Sequence, residues 1–569
     1  MVQGMGFVTA IYHGLTPVIE SSTLFQSFTR VLVDSKSGFA KYKIVLKDGQ
    51  TVGYEDVMLW KWLLYARGTA SQGALELNIL SNSRIRANAS FIGTIQVAKN
   101  PCDDAVAEST YDSAAGSYAT GASVSGYTSY ASGTYSLKWT KAGVSSVPLL
   151  MFALPHHLQS FDATTNQRKS SIQLQTTTKG LATAILSDSW VMNEPDLPVS
   201  MGFAPWNPIF KNEPNYSASA IQVIAIAATS EVSQDMSGQT NLNSMYFSGK
   251  ALSKFATIVY TIHDIMKDSA LANAGLTRLK DAFAVFAENR QKYPLVYESA
   301  WKGIVSTAAY VTGEWGADFG NAYYNDHHFH WGYFIHAAAI IGYLDPSWLD
   351  ANRDWVNTLI RDGLYESADG KDEESSSEDA LFAYATKMWG KTSGDKSMEA
   401  RGNVMLSILS RSLQNYFLLE SSNQNQPSKF IANKVTGIVR GFRIIRLTLA
   451  TRFNTFRGMS ILSYMLFLKK WRRAHDVRIH MIPINPSSAL TRTRNFVREE
   501  WEKYFDNGRV DRIDDGFKGI LYANLAIADP ASAWKFFSQN NFQSHWLDGG
   551  ASRAWYLAYA AGVVISMNA

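Results

Sequence analysis

In residues 321–342, NAYYNDHHFHWGYFIHAAAIIG, one carboxylate, Asp326, stands where a helix should begin, beside His327, His328 and His330 and a run of large aromatics. Beyond it Phe329, Tyr333, Phe334, Ala337, Ile340 and Ile341 recur at helical spacing, so that face is expected to pack inward and the carboxylate to point into a cleft. A second acidic stretch, ADGKDEESSSEDALFAYATKMWG at 368–390, sets Glu374 and Glu378 four residues apart, on one face once the helix has started. Carboxylates in a cleft can share general acid and general base work. From the residues alone, Asp326 reads first as a helix N-cap, and the acids from Asp372 to Asp379 first as a solvated helix start. The histidines do not form a metal motif: neighbours at i and i+1 point to different helix faces, and no HExxH-type spacing occurs. Hydrogen bonding to a substrate or to the carboxylates is the expectation for one of them.

Three kinds of sequence must position these groups. Residues 1–195 alternate β-branched and aromatic runs with Gly, Ser and Asn turns, as in FAKYKIVLKDGQTVGY and SFIGTIQVAK, which predicts an antiparallel β-sandwich. Within it, 103–133 reads as strands with a long surface loop, and His156 and His157 read as structural hydrogen-bonders. Residues 196–262 predict a small α/β connector, with IQVIAIAATSEV as a buried strand before a helix, SKFATIVYTIHDIMKD. Helical patterns dominate 263–569, and their periodicity alone fits either a solenoid or a closed ring of hairpins.

Length and composition narrow the classes. At 569 residues the chain exceeds one ordinary core, and 46% apolar with 18% charged residues is a globular balance. The 16 Trp and 27 Tyr are a generous supply of rings of the kind that stacks on sugars when exposed, although most are expected in the core. Cys102 is alone, so no disulfide framework is expected. The sequons at Asn88 and Asn215 permit a secretory route, while the first residues carry no leader pattern. The formal charge of +4 is uneven: residues 439–478 hold ten Lys or Arg against Asp476 alone. A membrane or nucleic-acid reading rests on that segment only, and no helical pattern has the uninterrupted apolar length of a membrane span.

At YYNDHHFHWGYFIHAAAIIGYLDPSW, DGKDEESSSED, MEARGNVMLSILSRSLQNYFLL, IHMIPINPSSALTR and WLDGGASRAWYLAYAAG the chain resembles glycoside hydrolase family 81, the inverting endo-β-1,3-glucanases. The resemblance extends over most of the chain, from MGFVTAIYHGLTPVIES onward. It implies a multidomain α+β fold: an N-terminal β-sandwich (1–195), a small α/β connector (196–262) and a C-terminal (α/α)6 barrel (263–569). It implies endo-acting hydrolysis of internal β-1,3-glucosidic bonds in a laminarin-type or cell-wall glucan, without cofactor or metal, by a monomer outside the cell or in the wall. Inversion takes a protonated carboxyl beside the leaving oxygen and a carboxylate that activates water, the two ~6.5–9.5 Å apart. By resemblance Asp326 is the acid, its aromatic surroundings expected to raise its pKa. Glu374 is the base and Glu378 its partner, or the reverse. Tyr323, Tyr324, His328, His330, Trp331 and Tyr333 are expected to bind substrate, with half of the four aromatics among them expected in the core instead, and Asp548 and Arg553 to be structural.

Two departures bear on activity. Between Asp362 and Gly363 the chain omits a stretch with a GHSWA-type element, which leaves the barrel incomplete if that stretch belongs to it. Residues 439–478 stand where the family has an element resembling DHTTYFG. Codons for 444–455 can be chosen so that a shifted frame reads YTTYFGDAIQY, and Gly458-Met459-Ser460 can contain an intron donor. A frame artefact is therefore expected there, with a genuine basic loop as the alternative. The start of the first domain, with any leader, is expected to be missing. A catalytically impaired glucan-binding relative is the alternative to an active enzyme.

Overall fold

The computed structural model describes residues 4–31, 39–47, 59–69, 74–101, 105–209, 214–363, 375–435 and 482–568. Cys102, Glu374 and the basic segment 439–478 lie outside the described residues. The chain divides into two compact units, Met1–Pro195 and Asp196–Ala569.

The first unit is built on a five-stranded antiparallel sheet in the order Val8–Leu15, Phe91–Asn100, Leu59–Gly68, Phe39–Lys47, Leu24–Val31. The period of two sends alternate residues into different cores. Leu63 and Tyr65 join Phe152, Ile172 and Ala184 on one face, while Leu64 and Ala66 join Tyr42, Ile85 and Phe91 on the other. Smaller sheets close both cores: Leu150–Ala153, Leu181–Leu186 and Lys169–Gln175 supply Phe152, Ala184 and Ile172 on one side, and Val18–Glu20, Arg84–Ala87 and Leu77–Ser81 supply Ile85 among others on the other. The expected surface loop within 103–133 is instead a helix, Ala105–Ala114, followed by a long hairpin, Ser117–Ser129 with Ser132–Gly143. That helix presents Glu108 and Asp112 to the buried Lys41 at 2.5 and 2.7 Å, which compensates the ammonium. His157 acts locally, its Nδ1 accepting the Leu154 N–H at 3.2 Å.

The second unit is helical apart from the two-stranded hairpin Leu295–Glu298/Gly303–Ser306 among the described residues. The strand expected at IQVIAIAATSEV is a helix, Ala218–Val232, capped by Ser217. Its buried positions, Ala220, Ile224, Ala227, Ala228 and Glu231, follow a helical period; the run of Ile, Val and Ala hides that period because Ile221, Val223, Ala225 and Ile226, off the buried face, are apolar too. Between 214 and 262 the described residues contain no strand, so the α/β character of the connector fails. Glu231 is buried and accepts Ser552 Oγ at 2.6 Å, Arg553 N–H at 2.6 Å and Ala554 N–H at 3.2 Å. It thereby satisfies the N-terminal donors of the last helix, Arg553–Asn568.

Two helices carry the chemistry of interest, His327–Leu344 and Ser376–Ser393. They pack against each other, and the first also packs on Met245–Tyr260. Residues 327–342 are buried on every side, not on one face as the spacing suggested. A helix apolar all round belongs in the interior. Gly249 permits the crossing with Met245–Tyr260, since a Cβ there would lie 2.8 Å from the Phe334 ring. No described helix is long and apolar enough to cross a membrane.

Candidate active site

Asp326 occupies the N-cap position of His327–Leu344 without acting as a cap. An N-cap residue ordinarily has extended backbone and accepts a hydrogen bond from the first turn. Here φ is 56° and ψ 24°, and the side chain makes no capping bond. The segment before it is equally unusual: Asp318, Phe319 and Tyr324 also have positive φ, as does Gly320. Such conformations in non-glycine residues cost of order 1–3 kcal/mol each and persist where the surroundings over-determine them.

Glu378 reaches the same place by ordinary means. Ser375 caps Ser376–Ser393 and accepts the Glu378 N–H at 3.3 Å, as in the first half of a capping box. The glutamate side chain instead accepts two phenol hydroxyls on Oε1, from Tyr246 and Tyr333, each at 2.6 Å. Burial, then the neighbouring Glu378 charge, pushes both tyrosines well above the usual phenol range, so they remain hydrogen-bond donors.

Asp326 and Glu378 line one cavity of about 460 Å³ within the second unit. Phe247, Phe319, Phe329 and Tyr246 give it an aromatic wall, with Phe319 edge-on to both Tyr246 (5.2 Å) and Phe247 (5.8 Å). Asp515, Asp548, Lys250 and His330 add charge. Asp515 caps the helix Gly516–Leu525 through the Phe517 N–H, and Asp548 pairs with Lys250 at 2.8 Å. Tyr246, Phe247, Lys250, Phe319 and Asp515 escaped the sequence reading. Nothing near Tyr246 marks it beyond a helix start at Ser244, and its partner lies 132 residues away.

Of the residues expected to bind substrate, only His330 lines this cavity together with the two carboxylates. Trp331 is fully buried and donates its indole N–H to Asp362 at 2.5 Å, so it has no surface to offer a ligand. Tyr324 is buried with its ring 5.0 Å from His327. Tyr333 is buried and acts through Glu378. His328 is buried and faces Asp379 at 2.9 Å. Tyr323 is half exposed, tilted against Trp315 at 5.8 Å and outside the cavity lining.

The adjacent histidines separate as their helical positions require. His327 uses both ring nitrogens within the fold, on Asp362 at 2.6 Å and the Asn321 carbonyl at 2.8 Å. His330 donates from Nδ1 to the Asp326 carbonyl at 2.8 Å, and its Nε2 lies 3.6 Å from Asp318. Among the described residues, no three His, Cys, Asp or Glu side chains gather as a metal-holding group.

A cavity that brings two carboxylates from different helix starts against an aromatic wall has the makings of a glycoside hydrolase site. The N-terminal domain model of glycosyl hydrolase family 81 matches residues 1–208, and the C-terminal domain model matches 215–363 and 362–557. The chain belongs to glycosyl hydrolase family 81. It is 48% identical over 594 aligned positions to a glucan endo-1,3-beta-D-glucosidase of Arthroderma benhamiae, covering 99% of this chain and 62% of that protein. It is 39% identical to the primary septum glucan endo-1,3-beta-D-glucosidase of Schizosaccharomyces pombe, over 99% of this chain and 54% of that one. With glucan endo-1,3-beta-D-glucosidase 2 of Saccharomyces cerevisiae the identity is 36%, over 98% and 72%. The chain thus spans little more than half to about two thirds of the length of the first two. A family 81 glycoside hydrolase structure from Clostridium thermocellum, in a mutant form, matches 99% of this chain and 81% of its own with a TM-score of 0.64 at 16% identity, a likeness of fold.

Proposed function

We propose that the chain hydrolyses internal β-1,3-glucosidic bonds of a β-1,3-glucan with inversion, Asp326 acting as general acid and a glutamate of the 374–378 element as general base. The observation that carries this is the convergence of Asp326 and Glu378 on one aromatic-walled cavity. Glu378, oriented by two phenols, positions or activates the water; Glu374, outside the described residues, is the other candidate for that role. Asp326 makes no capping bond to its own helix, and the proposed role is to pass its proton to the leaving oxygen. Phe247, Phe319 and Tyr246 replace Trp331 and Tyr324 as the rings a pyranose face would meet. Relatives named as glucan endo-1,3-beta-D-glucosidases, one of them of the primary septum, support the substrate and a site of action in the wall or outside the cell. We further infer that the helices of the second unit close into the (α/α)6 barrel, a reading supported by the first helix packing on the last.

One observation favours the impaired alternative. The C-terminal family match falls in two pieces that meet at 362 and 363, and the alignment to the Arthroderma protein runs to 594 positions against 569 residues. The first supports the absence of a family segment there; the second shows that the alignment carries gaps. Reducing-end release from linear β-1,3-glucan, with the product anomer followed by proton NMR, tests the proposal. The α-anomer is expected first. The β-anomer first would reject inversion, and binding without release would establish the impaired reading.

A further inference from the structure

Three segments distant in sequence meet at one buried ion pair. Asp318 accepts Ser244 Oγ at 2.5 Å, the Met245 N–H at 2.8 Å and the Tyr246 N–H at 3.4 Å, so its carboxylate seats the first turn of Met245–Tyr260. From that turn Tyr246 donates its hydroxyl to Glu378 at 2.6 Å. On the other side His330 stands 3.6 Å from Asp318, an ion-pair separation, and donates to the Asp326 carbonyl at 2.8 Å. One route thus runs from Asp326 through His330, Asp318 and Tyr246 to Glu378.

We propose that Asp318 and His330 are positioning residues for hydrolysis, a buried clamp that fixes the left-handed backbone of Asp326 and the carboxylate of Glu378 relative to each other across the cavity. The clamp rests on the reading of those two carboxylates as catalytic. Its parts are well matched electrostatically. Burial opposes an imidazolium at His330, but Asp318, together with the Asp326 carbonyl and carboxylate, outweighs it and raises the histidine's pKa. Burial would likewise raise Asp318, yet His330, Ser244 and the Met245 N–H hold it below the usual carboxylate range. The titratable groups facing His330 are Asp318, Asp326, Tyr246 and His327. The clamp also accounts for the left-handed residues from 318 to 326: they bring Asp318 to the helix start and Asp326 to the cavity in one short segment.

The test is the pH dependence of kcat and KM on linear β-1,3-glucan. Asp318→Asn is expected to lower kcat ten- to a hundredfold, the scale of a misplacement of about 1 Å, with KM moving less than about threefold. Its alkaline limb should move to lower pH, because His330 loses the charge that keeps it protonated. His330→Ala should lose as much, and His330→Asn, whose amide can still donate to the Asp326 carbonyl, should recover part of it. Tyr246→Phe breaks the route without removing a buried charge and serves if Asp318→Asn does not fold; about a tenfold loss in kcat is expected. An unchanged kcat and alkaline limb in the Asp318 and His330 variants, beside an inert Asp326→Asn, would overturn the clamp and leave the catalytic pair standing. Full activity in Asp326→Asn would remove the underlying reading and the clamp with it. If the parent chain releases no sugar, the imidazole titration of His330 followed by NMR of labelled histidine decides: indifference to Asp318→Asn overturns the clamp.

Discussion

Asp326 and Glu378 both stand at helix N-termini, and the sequence offers the same plain explanation for each, an acid that favours a helix start. The fold treats them differently. At Ser376–Ser393 the helix is capped conventionally by Ser375, and Glu378 is diverted from the capping box by two phenols. At His327–Leu344 the backbone itself is distorted so that Asp326 does not cap. One carboxylate is made available by its partners and the other by its own φ and ψ. The contrast teaches that the position of an acid on a helix does not fix its role; what satisfies the helix in its stead does.

Substitutions can break this contrast, beginning with the largest effect. Asp326→Asn preserves a residue tolerant of left-handed backbone, so stability should change by less than about 0.5 kcal/mol while turnover falls about a thousandfold, the weight of a general acid; thermal melting and reducing-end assays check both. Glu378→Gln should cost about a hundredfold in kcat, because the amide can accept the two phenols but cannot serve as a carboxylate; the same assay, with added azide as a replacement nucleophile, reads it. A third test contrasts two of the four buried histidines of one helix, His330 and His336. Among the described residues no acid stands beside His336, which bonds Ser253 at 2.8 Å, and burial lowers its pKa to about 4. The unfolded chain takes up that proton near pH 6.5, so stability is full above 6.5 and falls as pH drops toward 4, by on the order of 3 kcal/mol. Urea titrations at several pH values should show this slope, and His336→Gln should flatten it. The smallest effect belongs to the conventional cap: Ser375→Ala should cost about 1 kcal/mol in denaturant stability.

Much of this was legible in the sequence. Period-two runs before residue 195 and helical runs after about 263 carry the division into sheet-rich and helical parts, whereas the acids at 326, 374 and 378 were singled out by the family resemblance of their motifs, since type and spacing alone suit a cap or a solvated helix start. Legibility ended where one pattern had two physical solutions. In a run such as IQVIAIAATSEV apolar residues also fill positions off the buried face, so strand and helix read alike. Residues 327–342 are apolar enough to be buried on all sides, so Trp331 and Tyr324 could not be told from cleft-lining rings. Asp318 and Tyr246 were missed because each gains its meaning only from a partner dozens of residues away, and no local spacing records that. The φ of Asp326 was out of reach because the same residue type suits both an extended cap and a left-handed turn.

The seat that Glu231 provides for the last helix has a consequence for how the protein is made. Its partners, Ser552 to Ala554, follow it by more than 320 residues. During synthesis this carboxylate and the apolar first helix emerge long before anything can cover them, so the nascent second unit must wait, exposed, for its final residues. Closing so long a loop is slow, and the waiting chain is prone to association. Truncation within 552–568 should therefore be felt as failure to accumulate in soluble form well before any change in catalysis could be measured.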